Sequence, residues 1–98
     1  MARIVVEQVF EPPMSEEDYA SFAKRLDPCL DARNAMWRRS YVSPDRRRIT
    51  CEFEAPDAEV VREAMRSAGL AFERAWSADV FAIEDYPDLM AKLAKLST

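Results

Sequence analysis

The chain contains no histidine. That removes imidazole from every role it plays, whether as the base of a Ser-His-Asp or Cys-His arrangement or as a metal ligand. There is a single glycine, so no glycine-rich loop cradles a phosphate. Two cysteines, Cys29 and Cys51, are too few for a disulfide scaffold, and both are expected as free thiols. No window approaches the apolar length of a membrane span. The first residues run directly into a strand pattern without a signal-peptide core, so the expected location is the cytoplasm. Basic charge is in deficit: 14 Lys and Arg stand against 18 Asp and Glu, a net charge of −4. Non-specific nucleic-acid binding needs the opposite sign.

What is present is a small globular chain of 98 residues, 49% hydrophobic and 33% charged. A single domain over residues 1–98 is expected, with its core over 3–83 and a terminal helix over 86–96. Residues 3–10 are rich in β-branched strand formers and stop at Pro12-Pro13. Ser15 reads as an N-cap, followed by acids at 16–18 and by Tyr19, Phe22, Ala23, Leu26 and Leu30 at helical spacing. Pro28 falls inside that pattern and predicts a kink or restart. Residues 36–43 and 48–54 read as strands joined through Pro44-Asp45, an antiparallel hairpin. Asp57 caps a second helix with an apolar face of Val60, Val61, Ala64, Met65 and Ala68, closed by Gly69. Residues 72–83 read as a fourth strand, and Asp85-Tyr86-Pro87 opens the terminal helix.

The order β-α-β-β-α-β is the split βαβ, ferredoxin-like arrangement: an α+β fold with a four-stranded antiparallel sheet and two helices on one face. The other face stays open unless something covers it. Strand alternation sorts the side chains. Ile49, Cys51 and Phe53 belong with the helices, as do Ile4, Val6 and Phe10. Glu7, Glu52 and Glu54 then fall on the open face, with Trp37, Arg39 and Tyr41 from the second strand. Because the first and third strands are central neighbours in this fold, Glu7 and Glu52 are expected close together. Two adjacent carboxylates serve an acid–base site or an oxygen-ligated cation. The alternative is pairing with a cross-strand arginine such as Arg39.

Glu7, Glu52 and Tyr41 are therefore the candidate catalytic residues, and Trp37, Arg39, Glu54 and Trp76 the candidate ligand-binding ones. Three readings remain open. One is a binding protein for a small molecule or metal, using the open face or a dimer cavity. Another is a cofactor-independent enzyme on the same face, with Glu7 or Glu52 as acid–base, Tyr41 as donor and Arg39 stabilising an enolate or phenolate. The third is a structural or regulatory homodimer with the aromatics at its interface.

The run Trp37-Arg38-Arg39-Ser40-Tyr41-Val42-Ser43-Pro44-Asp45 resembles a motif in a family of small bacterial ferredoxin-like proteins of unknown function. So do Cys51-Glu52-Phe53-Glu54-Ala55-Pro56-Asp57 with the helix that follows to Gly69-Leu70, and the first strand with Glu7 and Phe10. The likeness covers residues 3–80, and the tail from 81 extends past it. The resemblance implies a ferredoxin-like domain and, through one nickel-binding member, a link to nickel. This sequence departs from that member in having no imidazole to offer the metal. More broadly, the fold resembles the dimeric α/β-barrel proteins, many of which are cofactor-free cyclases, monooxygenases or isomerases acting on aromatic or polyketide-like metabolites.

Overall fold

The computed structural model describes residues 1–85 and 88–96. The elements run β1 (Ala2–Val9), α1 (Glu16–Asp31), β2 (Met36–Val42), β3 (Arg48–Ala55), α2 (Ala58–Ser67) and β4 (Arg74–Ala78). A short 3-10 turn (Ile83–Asp85) and α3 (Asp88–Leu96) follow. The strands form one antiparallel sheet in the order β2-β3-β1-β4, the ferredoxin-like topology. The opening of the terminal helix at Tyr86-Pro87 lies outside the described residues.

Local chemistry sets the element ends. Ser15 accepts from the Asp18 N–H while the Asp18 carboxylate accepts from the Ser15 N–H, a complete capping box. Asp57 caps α2 by accepting from the Val60 N–H at 2.9 Å. At the far end of α2, Gly69 takes φ +72°. There its N–H reaches the Arg66 carbonyl and the Leu70 N–H reaches the Met65 carbonyl, the paired bonds of a Schellman closure.

Two boundaries differ from expectation. Helix α1 continues through Pro28 to Asp31 instead of restarting there. Pro28 stands in the last turn, so its missing N–H interrupts the ladder only where the helix is about to end. Strand β4 is five residues long, not twelve. Among the described residues it pairs with β1 alone, and the pairing ends at Arg3↔Ala78, one residue short of the start of β1.

The core sits between the sheet and the two helices. Ile4, Val6, Phe53, Val61 and Met65 are its fully buried large side chains, joined by Leu30, Leu70 and small residues of α2. This is the helix-facing set that strand alternation assigned. Phe10 stacks on Phe22 at 5.6 Å between ring centres, tying the end of β1 to α1. Among the described residues, none from 79–96 belongs to the core cluster. Val80, Phe81, Ile83, Met90 and Leu93 are all exposed, and the molecule spans 49 Å along its longest axis.

Candidate functional site

The open face is built from alternate residues of all four strands. β1 contributes Arg3, Val5, Glu7 and Val9, and β3 contributes Arg48, Thr50, Glu52 and Glu54. β2 contributes Met36, Arg39 and Tyr41, and β4 contributes Arg74 and Trp76.

Register decides which of these meet. Glu7 stands opposite Thr50, and Glu52 stands opposite Val5. The two carboxylates are thus diagonal neighbours, and each has its own partners. Glu52 Oε2 accepts from Arg3 at 3.0 Å and pairs with Arg39 Nε at 3.2 Å. Glu7 Oε2 accepts from the Trp76 indole N–H at 3.0 Å, with Arg74 Nε at 3.9 Å. Glu54 bridges Arg3 and Arg38 at 3.5 and 3.4 Å. The expected shared-carboxylate pair is therefore replaced by a ladder of charge-paired glutamates. The physical cause is cross-strand pairing of opposite charges, with Arg39 directly opposite Glu52.

Trp37 is the clearest correction. Alternation from Arg39 and Tyr41 places it on the open face. The register instead sets Trp37 opposite Phe53, because it shifts between Trp37 and Arg39, around Arg38. That bulge turns the indole to the helix side, where its N–H donates to Ser40 Oγ at 2.8 Å. Tyr41, Arg39, Glu7, Glu52 and Glu54 keep the face expected of them, and the pairing of Trp76 with Val5 puts that candidate on the same face. Sequence reasoning missed Arg3, whose parity in β1 was a usable signal, and Arg38 and Arg74. Arg3 is the most enclosed cation of the ladder, and its Nε–H has no acceptor among the described residues.

The electrostatics of this face oppose those of the chain. Five arginines (Arg3, Arg38, Arg39, Arg48, Arg74) stand against three glutamates (Glu7, Glu52, Glu54), while the whole chain carries −4. Arg39 and Arg74 are 61% and 75% exposed and flank the exposed rings of Tyr41 and Trp76. A recess of about 230 Å³ opens at one end of the face, between Glu7, Thr50, Arg48, Glu73 and Arg74.

A resident metal does not fit this donor set. Among the described residues, no three His, Cys, Asp or Glu side chains converge on a position that could hold one. The three glutamates are already engaged with guanidinium or indole donors.

At the helix side, Ser40 Oγ donates to Cys51 Sγ at 3.0 Å. Burial pushes the Cys51 thiol above its ordinary range, outweighing that hydrogen bond. Cys51 packs half-buried against the core, as expected, and Cys29 is half-buried on α1 with its thiol toward the Arg25 carbonyl. At the hairpin tip, Arg46 takes φ +63°, and the Arg46 and Arg47 carbonyls accept from Met14 and Phe10. The arginine run there is held by its backbone, with Arg47 beside Glu11 at 3.5 Å.

The family model described as "Nickel responsive protein SCO4226-like" matches residues 4–77. The crystal structure of SCO4226 from Streptomyces coelicolor A3(2) superposes with a TM-score of 0.74 at 16% identity, over 83% of this chain and 100% of that one. At that identity the likeness concerns the fold. Among curated proteins, none matches this chain.

Proposed function

This chain belongs to the SCO4226-like family of nickel responsive proteins, and from that premise we propose that it is a binding protein whose ligand is a small organic anion held against the open sheet face. One observation carries the reading: a face with an excess of arginine, edged by aromatic rings, on a chain that is acidic as a whole. Guanidinium groups bind planar carboxylates in a fixed fork, and flat rings beside them favour a flat ligand. The glutamates hold the arginines in place. Arg39 and Arg74, which turn Nε to Glu52 and Glu7, supply their exposed Nη donors, and Tyr41 and Trp76 supply the walls.

Exposed aromatics on so small a chain also suit a second copy laid face to face, closing the cavity over the ligand. We place this homodimer in a reducing cytoplasm, with both thiols free. The family's nickel link is carried into the test as a competitor, since the donor set of one copy does not suit the ion.

Native mass spectrometry of the untagged chain, alone and then with small aromatic acids or nickel, reads stoichiometry and bound mass together. The expected result is a dimer that gains an organic acid. Glu52→Gln releases Arg3 and Arg39 from their anchor and lowers that affinity at least tenfold while the fold persists. Uptake of nickel at fixed stoichiometry with no acid bound overturns the reading, as does unchanged affinity in the variant.

A further inference from the structure

A second cavity lies on the opposite side of the sheet, between α1 and the β2 edge. Its volume is about 190 Å³, and Tyr19, Phe22, Leu26, Trp37, Phe53 and Cys51 form much of its wall. We propose that this crevice is a binding site for a single-ring aromatic molecule, separate from the anion site proposed on the open face.

Size is the first support. An apolar cavity of roughly 150 Å³ takes up benzene and stays dry without it. The second support is the Arg38 bulge. An unbroken β2 would present Trp37 to the open face. The register shift spends one residue to turn the indole across the sheet, so that it lines this crevice. Bulges recur where a side chain must be re-aimed; this one sends Trp37 to the crevice while Arg39 stays opposite Glu52 on the other face.

Polar satisfaction is the third support. The Trp37 N–H donates to Ser40, and the Ser40 hydroxyl donates to the Cys51 sulfur. The two strongest donors at the floor are thereby used internally. The Gln8 amide, also in the wall, donates to the Ala71 carbonyl, and Asp27 is the one charged group of the lining. The rest of the wall is mostly ring and aliphatic surface with the Cys51 sulfur, which suits an aromatic guest. Trp37 is 49% and Tyr19 is 36% exposed, so the rings stand open at the mouth instead of closing on each other.

The test uses the full chain and toluene. Iodoacetamide labelling followed by peptide mass spectrometry reads Cys51 and Cys29 separately. Saturating toluene is expected to slow Cys51 alkylation at least fivefold and to leave Cys29, which does not line the cavity, unchanged. Amide NMR shifts are expected to cluster on Tyr19, Phe22, Ser40 and Cys51. Ala23→Phe, at an exposed helical position on the rim, fills the mouth and is expected to abolish both effects. Should that variant fail to fold, the labelling of the unaltered chain decides by itself.

Equal alkylation rates with and without toluene overturn the site. So do shifts gathered on Glu7, Tyr41 and Trp76, which would place the guest on the open face. A Cys51 already protected without toluene, and freed by truncation after Asp79, identifies the chain's own tail as the occupant and likewise overturns the proposal.

Discussion

At the scale of single residues, burial and pairing assign different work to the two faces of the sheet. Phe53 is 1% exposed at the centre of the core. Phe53→Ala is expected to cost about 3–5 kcal/mol in a urea unfolding experiment. An effect under about 1 kcal/mol would mean that the face assignment is inverted. Burial raises the Cys51 thiol above its ordinary value, against the lowering effect of the Ser40 hydroxyl. A raised thiol favours the protonated form in the folded state. Its contribution is therefore fully present below the unfolded thiol value and is lost as pH rises through the folded one. Melting temperatures measured as pH rises from neutral into the alkaline range should fall more steeply for the native chain than for Cys51→Ala; parallel curves would contradict this. Asp45 and Glu59 shift the opposite way. The Ser43 hydroxyl lowers Asp45, and Arg66 and then Arg62 lower Glu59. Both groups favour the fold above the carboxylate range and lose that effect as acid protonates them. Both are exposed, so their part in acid stability is small.

At the scale of elements, helix ends and strand edges carry the specificity of the fold. Gly69 closes α2 at φ +72°, and a Cβ there would meet nothing nearer than Arg25 Nη1 at 3.6 Å. Space is available, so the cost of a side chain is conformational. Gly69→Ala is expected to destabilise by about 1 kcal/mol, seen as a lower urea midpoint with an unchanged slope. A neutral result would mean that the left-handed turn is not kept in solution. The β2 edge shows a different control. One bulge at Arg38 redistributes its side chains, sending Trp37 to the helix side and leaving Arg39 and Tyr41 on the open one.

At the scale of the whole molecule, the protein is a compact α+β body with an appendage. The radius of gyration is 15.6 Å, against about 12.5 Å for a compact chain of this length. Among the described residues, none after Asp79 joins the core cluster. Truncation after Asp79 is expected to leave the midpoint of thermal unfolding within about 4 °C, a change of under about 1 kcal/mol. A larger loss would show that the tail packs on the body or on a second copy, and native mass spectrometry of the truncated chain separates these two. Among the described residues, no helix is long and apolar enough to cross a membrane.

Much of this was legible in the residues themselves. Element order, both N-caps, the glycine closure of α2 and the core set of Ile4, Val6, Phe53 and Val61 follow from capping chemistry, turn residues and strand alternation. These are local properties, and the sequence states them directly. The open-face positions of Glu7, Glu52, Glu54, Arg39 and Tyr41 follow from the same alternation. The partnerships on that face do not. They depend on register, which sets Glu7 against Thr50 and brings Arg3 from one strand and Arg39 from another onto the same Glu52 oxygen. Register is a contact between distant segments, and no single strand encodes it. The Arg38 bulge was illegible for the same reason: a strand read alone gives no sign that its neighbour will leave one residue unpaired. The sequence by itself determined the fold and the composition of its faces, because periodicity and caps act within a few residues. Only the tertiary structure decided which charges meet and where Trp37 points, because those answers depend on how one strand lies against another.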